Sequence, residues 1–310
     1  MEHLQGSGTA GAFVAIDWGT SSFRAWLMKA DGTPLAERRS DEGMRHCVTS
    51  GFEPVFDRHV ADLGGENLPT IICGMAGARQ GWREAPYLET PTRLDALHEG
   101  AVPVDISNDV RILPGISQVS PSQPDVMRGE ETQILGSIEP GFSGLACIPG
   151  THSKWVMIED GAVVAFSTYM TGELFALIAE HSVVSLALDK HVAASPDSPS
   201  FAAGLHTAES DEAALTSSLF RIRSAMLLGF ADKSDGSSRL SGLLIGTEIA
   251  DAIHRYGKQN PVRLIAAGSL AKLYETALTR AGFTTTTADA ELASRRGLAR
   301  VAHALWNKGR

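Results

Sequence analysis

The chain has 310 residues, of which 43% are hydrophobic and 20% charged, and its formal net charge is −9. That is ordinary soluble globular composition, and the length suits two domains better than one core. The acidic balance argues against nucleic acid and membrane as partners, because both draw affinity from basic patches. No apolar run reaches the ~18–20 residues that span a bilayer. The cysteines Cys47, Cys73 and Cys147 are scattered and form no CxxC. This removes zinc-ribbon and thioredoxin readings and suits a reducing, cytoplasmic location.

Residues 1–12 read as a disordered tail, with neither the basic start nor the apolar centre of a signal peptide. A strand is expected at Phe13–Ile16, closing on Asp17, then a polar turn Gly19-Thr20-Ser21-Ser22 and a second strand Phe23–Met28. Asp31-Gly32 is a hairpin signal leading to a third strand from about Thr33 to Arg39. A helix near Pro54–Leu63 and a buried strand at Thr70–Cys73 follow. The proline-rich stretch Pro86–Pro124 is expected to hold the crossing into a second domain.

The second half opens on the same pattern. Leu145–Ile148 is a strand, Pro149-Gly150-Thr151-His152-Ser153 a polar turn, Lys154–Ile158 a strand, Asp160-Gly161 a hairpin turn, and Ala162–Thr168 a third strand. The two meanders read as one unit used twice. Beyond them, Leu240–Ala250 carries apolar residues at helical spacing, Val262–Ala266 is a strand, Gly268-Ser269 opens a helix, and Ala290–Trp306 is a final helix. The domains are therefore expected at 13–112 and 113–289, with the helix from about 290 to 310 free to pack back on the first.

Two Gly-Thr turns on two similar meanders point to two phosphate receptors. Tight glycine turns let backbone N–H groups converge on an anion, and Ser and Thr hydroxyls add donors. Asp17, just before the first turn, is placed to hold Mg²⁺, mostly through water. Lys154, after the second turn, is a candidate to neutralise charge on a transferring phosphoryl group, and His152 to donate to a phosphate. Trp18, Trp82 and Trp155 read as core or wall residues. Gly6-Ser7-Gly8-Thr9-Ala10-Gly11 spells GxGxxG but precedes the first strand instead of following one, so it is no dinucleotide site. No GxxxxGK[ST], HExxH or GxSxG occurs.

Ala15–Arg24 resembles the phosphate-1 segment of the sugar kinase, heat-shock protein and actin superfamily. Ile148–Trp155 resembles phosphate-2, and Leu264–Leu270 the adenosine segment. Within that superfamily the chain is similar to the 2-dehydro-3-deoxygalactonokinase family. The segments that carry this are Ala15–Arg24, Cys73–Gly77, Gly81-Trp82, Ala85–Leu88, Val126–Gln133, Pro149–Trp155, Met170–Leu174 and Leu240–Glu248. The resemblance implies an α/β fold of two RNase H-like, actin-like ATPase domains with an interdomain nucleotide cleft. It implies ATP and Mg²⁺ as cofactors, bound through Asp17, Gly19, Thr20, Ser21, Gly150, Thr151, His152, Ser153, Gly268 and Ser269. Phosphorylation of 2-dehydro-3-deoxy-D-galactonate at O6 is the implied reaction. Related kinases carry Gly-Asp-x-Gln before phosphate-2. The matching stretch Gly129-Glu130-Glu131-Thr132-Gln133 offers Glu130 as catalytic base and Glu131 as its alternate. An anionic sugar acid calls for arginine, so Arg79, Arg24 and Arg128 are candidates for its carboxylate, and Glu42, Gln80 and Glu173 for its hydroxyls. The expected partner is this small molecule, and a homodimer is compatible. Two rivals share the segments: a carbohydrate kinase for another sugar acid or polyol, and a non-catalytic nucleotide-binding regulator.

Overall fold

The computed structural model describes residues 11–209 and 214–306. Most of the expected N-terminal tail, and the rejected glycine motif up to Ala10, lie outside them. The chain forms two compact units. The first takes the residues up to Phe142, Glu159–Ala165 and everything from Ala290, and the second takes Ser143–Ile158 and Phe166–Asp289.

The first unit begins with β1 (Phe13–Trp18), β2 (Phe23–Met28) and β3 (Pro34–Ser40), then α1 (Met44–Ser50) and α2 (Phe52–Asp62). It continues through β4 (Thr70–Gly74), β5 (Tyr87–Glu89), β6 (Thr92–Arg93), β7 (Val102–Pro103), β8 (Val110–Ile112), β9 (Gly115–Gln118), β10 (Asp125–Met127) and α3 (Glu130–Ser137). Its main sheet runs β3-β2-β1-β4-β8-β7. β1 is antiparallel to β2 and parallel to β4, and β4 is parallel to β8. β1 is buried on both faces, which is why Phe-Val-Ala-Ile reads as an apolar run without alternation. Trp18, Phe23, Phe52, Phe56 and Ile72 meet in the core above it. Each such side chain contributes roughly 1.5–3 kcal/mol by leaving water.

The second unit contains β11 (Gly144–Ile148), β12 (Ser153–Glu159) as far as Ile158, β13 (Ala162–Tyr169) from Phe166 on, α4 (Thr171–His181), α5 (Pro199–Ala208), α6 (Leu215–Leu227), α7 (Lys233–Tyr256), β14 (Val262–Ile265), α8 (Gly268–Arg280) and β15 (Thr285–Ala288). Its sheet runs β15-β14-β11-β12-β13, and the edge strand β6 pairs with Ala162 and Val163 of β13, which fall in the first unit. With the edge strands β7 and β6 set aside, both sheets read third, second, first, fourth, fifth in chain order, with an antiparallel meander followed by parallel strands. The repeated meander in the sequence is therefore a repeated topology.

α9 (Ala290–Trp306) returns to the first unit. It packs on α3 at backbone contact. A β-carbon on Gly136 would stand 1.9 Å from the Ala293 carbonyl oxygen, and one on Gly297 would stand 2.0 Å from that of Thr132. Arg300 seals the far end of α3, its Nη1 donating to the carbonyls of Leu135, at 2.5 Å, and Ile138, at 2.8 Å.

The crossing between units does not fall at residue 112. Pro86–Pro124 belongs to the first unit, where β5, β9 and β10 form a small sheet and β7 and β8 extend the main one. Short strands between prolines satisfy enough backbone groups to stay with that core. The chain first leaves the unit after Phe142.

Candidate active site

In the first unit the β1–β2 connection is tied from both sides. Gly19 N–H donates to the Ser22 carbonyl at 2.8 Å, while Met44 and Arg45 N–H at the start of α1 donate to the carbonyls of Gly19 and Thr20. The carbonyls thus face α1, and the hydroxyls of Thr20 and Ser21 make no hydrogen bond among the described residues. Trp18 Nε1 donates to the Glu42 carbonyl at 3.0 Å, anchoring the next segment. The Glu42 carboxylate accepts from Arg58 at 2.5 Å and His59 at 2.8 Å, and these partners, His59 foremost, hold it down at about 2. That carboxylate is committed to the frame of the unit.

Asp17 is half-buried at the end of β1, opposite Arg24 on β2 and Cys73 on β4. Ser294 Oγ of α9 donates to its Oδ2 at 3.0 Å. Burial raises its carboxyl above the usual range, Ser294 and Arg24 oppose the rise, and Glu130 and Glu291 add to it. Asp17 and Glu130 therefore feel each other's charge.

Glu130 and Glu131 open α3, where carboxylates complement the helix dipole. Glu131 is fully buried. Gly129 N–H donates to both of its oxygens, at 2.9 and 2.7 Å, and Thr132 Oγ1 donates to one at 3.1 Å. Burial, then Glu130, pushes its carboxyl up to about 8. Glu130 is half-exposed, and one of its oxygens accepts from Arg128 N–H at 3.1 Å.

The three candidate arginines have different surroundings. Arg128 is pinned, with Nη2 donating to the Ala85 carbonyl at 2.9 Å and its guanidinium 4.2 Å from the centre of the Tyr87 ring, while Nε and Nη1 are buried without a hydrogen bond. Arg24 lies 4.0 Å from Glu291. Arg79 and Gln80, in the turn after β4, are exposed. Trp18 and Trp155 are fully buried, and Trp82 packs partly buried against the first core.

In the second unit the β11–β12 turn is held from behind by α4. Glu173 N–H donates to the Thr151 carbonyl at 3.0 Å, and His152 Nε2 meets the Glu173 carboxylate at 2.5 Å. Lys154 is buried on β12, and its Nζ reaches back to the His152 carbonyl at 3.2 Å. Ser153 is buried too, its Oγ 2.9 Å from the Tyr274 hydroxyl. Beneath the turn, Glu248 of α7 accepts hydrogen bonds from Trp155, Thr171 and Tyr274. Burial raises the Glu248 carboxyl, and those bonds oppose the rise.

A cavity of about 820 Å³ lies wholly within this unit. Gly150, Thr171 and Gly172 line one end, Ser269 and Leu270 at the start of α8 another, and Ser241 and Leu244 of α7 the floor. Gly268 and Ser269 are exposed at that helix N-terminus, where unpaired N–H groups favour an anion. Thus the structure brings Gly150 and Ser269 to one cavity, and Asp17, Arg24 and Glu130 to one electrostatic cluster. Sequence reasoning missed Thr171, Tyr274 and Glu248. The available signal was a single carboxylate inside the apolar run Leu243–Ile249, since a buried charge demands partners. Among the described residues no three His, Cys, Asp or Glu gather as a metal cluster, and no helix is long and apolar enough to cross a membrane.

The chain matches the family model described as 2-keto-3-deoxy-galactonokinase over residues 17–301. It is 46% identical to DgoK1 of Rhizobium meliloti, a protein assigned as a 2-dehydro-3-deoxygalactonokinase, over 96% of this chain and 99% of that one. It is 33% identical to the 2-dehydro-3-deoxygalactonokinase of Escherichia coli over 95% and 99%. A crystal structure from Sinorhizobium meliloti, given the same assignment, superposes with a TM-score of 0.91 at 45% identity, covering 95% and 99%. Component A of the (R)-2-hydroxyglutaryl-CoA dehydratase of Acidaminococcus fermentans shares the fold alone, with a TM-score of 0.53 at 15% identity over 96% and 98%. The fold is that of the actin-like ATPases, and with near-complete coverage by these relatives the chain belongs to the 2-keto-3-deoxy-galactonokinase family.

Proposed function

We propose that this protein transfers the γ-phosphoryl group of ATP to O6 of 2-dehydro-3-deoxy-D-galactonate, giving 2-dehydro-3-deoxy-6-phospho-D-galactonate, a step of galactonate breakdown in the cytoplasm. The observation that carries the reading is the second-unit cavity, which has Gly150 of the β11–β12 turn and Ser269 of the α8 helix start in its lining. Its volume, about 820 Å³, falls within the range of roughly 300–1,000 Å³ common for small-molecule and cofactor sites. It offers polar donors at the turn and helix ends and apolar walls between them.

In this reading Thr151, the turn N–H groups and the Gly268-Ser269 helix start receive the nucleotide. Thr20 and Ser21 offer hydroxyls that nothing else uses. His152 is held by Glu173 so that one ring nitrogen is occupied, and buried Lys154 lends positive charge to the turn. Asp17 fits Mg²⁺: it is one half-buried carboxylate with an oxygen not bonded to Ser294, and Mg²⁺ usually takes one or two carboxylates and keeps its waters. When bound, the ion neutralises charge on the phosphates.

Glu130 is the base. Its carboxylate is half-exposed and can accept the hydroxyl proton as the oxygen attacks phosphorus, whereas both oxygens of Glu131 are taken up by Gly129 and Thr132. Arg79 takes the sugar-acid carboxylate, because its guanidinium is exposed and charged whereas that of Arg128 is pinned. Gln80 accompanies Arg79 on the hydroxyls. The assembly, if any, is a homodimer.

The test is coupled ADP release with Mg-ATP and a panel of both 2-dehydro-3-deoxy sugar-acid epimers, galactonate, gluconate, galactose and glycerol. Turnover centred on the galacto-configured keto acid is expected. Turnover on a neutral sugar alone overturns the substrate, and none on any member with ATP bound overturns the reaction.

A further inference from the structure

Glu248 lies in the apolar stretch of α7 and is 2% exposed. Its Oε1 accepts from Trp155 Nε1 at 2.8 Å, and its Oε2 accepts from the Tyr274 hydroxyl at 2.7 Å and from the Thr171 hydroxyl. A carboxylate only accepts, so all three partners must donate. For the indole this is no choice. For Tyr274 it settles a direction, because a hydroxyl has one hydrogen and Glu248 takes it. Ser153 Oγ, 2.9 Å from that hydroxyl and itself a partner of the Glu248 carboxylate, then turns its one hydrogen toward this pair. Ser153 has no second hydrogen, and it turns lone pairs toward Gly150, whose N–H donates to it over 3.4 Å. Each link polarises the next.

We infer that Glu248 is a positioning residue that sets the direction of a hydrogen-bond relay running from Gly150 N–H through Ser153 and Tyr274. The relay makes Ser153 an acceptor that fixes the Gly150 end of the turn, not a donor to nucleotide phosphate. The inference rests on the reading of that turn as a phosphate receptor. It leaves Thr151 and the turn N–H groups as the donors, and gives Glu248 a role at a distance from any ligand.

The experiment is a double-mutant cycle of Glu248→Gln with Ser153→Ala in the full chain. It is read as unfolding constants in urea and as KM for ATP against kcat. A glutamine amide offers a hydrogen to the Tyr274 oxygen. That drives the Tyr274 hydrogen onto Ser153 and the Ser153 hydrogen against Gly150 N–H, two donors face to face. Glu248→Gln is expected to raise KM for ATP roughly fivefold or more with a smaller change in kcat, since an unmatched buried donor disturbs the turn. Ser153→Ala removes the conflict, so the double variant recovers most of the loss, and the unfolding constants couple by roughly tenfold. Additive effects in both readouts overturn the relay and leave the kinase reading intact. Coupled unfolding in a protein that does not bind ATP overturns the kinase reading and leaves the relay. If Glu248→Gln does not fold, Tyr274→Phe replaces it in the cycle. The double variant with Ser153→Ala is then expected to lose no more than the worse single, because both remove the same bond, and additive losses overturn the relay.

Discussion

Gly172 stands so close to Gly150 that a β-carbon on it would lie 2.4 Å from the Gly150 carbonyl oxygen. The first turn of α4 is in this way the backing of the β11–β12 turn, with the Glu173–Thr151 backbone bond beside it. Gly172→Ala must push the turn away from α4. It is expected to cost about 1–3 kcal/mol of stability, as overpacking does, and to raise KM for ATP about tenfold or more through misplacement of the donors. Thermal unfolding and ADP-release kinetics check this, and unchanged kinetics would show that α4 does not set the position of the turn.

Removing the base while keeping its shape separates chemistry from binding. Glu130→Gln is expected to lower kcat by about 10²–10⁴-fold, the usual share of a general base, with ATP affinity retained in a fluorescence titration. A variant that keeps wild-type kcat transfers the role to another group.

Glu131 carries a pH signature of its own. Its carboxyl stands at about 8 in the fold, against the ordinary 4.5. The folded state thus holds the proton more tightly than the unfolded chain does. The stabilising share of Glu131 is complete below about 4.5 and is lost as the pH rises to about 8. Glu131→Gln keeps an acceptor for Gly129 N–H and has nothing to ionise. Urea midpoints across that window should fall less for the variant than for the wild type. Parallel curves would assign the loss to other groups.

Arg79 and Arg128 should fail in different ways. Arg79→Ala is expected to raise KM for the keto acid by about tenfold or more, the order of a lost charge-assisted pair, with the melting temperature unchanged. Arg128→Ala strips a guanidinium from the Tyr87 ring and the Ala85 carbonyl, so it should lower the melting temperature. Kinetics and thermal melts on both variants decide, and an Arg79 variant with wild-type KM would move the carboxylate to another residue.

All three thiols are buried, and burial raises each above its usual range. The thiolate is the reactive form. The native protein should therefore react slowly with a thiol reagent and yield three equivalents at once when denatured. Fast labelling of the native protein would place a cysteine at the surface.

The strand-turn-strand pieces were legible because their signals are local. Apolar runs, Gly-Thr turns and Asp-Gly hairpins placed Phe23–Met28 and the β11–β13 meander within a residue or so, and Ala290–Trp306 matches in full. The strand order of each sheet was implied only by resemblance, since no local signal says that β4 lies beside β1. Proline punctuation misled at Pro86–Pro124, where short strands owe their place to partners far along the chain. At the site, single-residue chemistry picked out Asp17 and Lys154. The partners that fix those turns, Ser294, Thr171, Glu248 and Tyr274, come from elements remote in sequence and emerge only when the fold brings them together.

The bond from Ser294 to Asp17 joins β1 to α9, elements far apart along the chain. Synthesis proceeds from one end, so a nascent chain carries Asp17, the first turn and α3 long before α9 exists. Until then β1 and α3 lack the surface they pack against, and Asp17 lacks its hydroxyl partner. A chain cut short before α9 would have nearly every candidate site residue in place and its first unit unfinished, a state for chaperones or proteases rather than for chemistry.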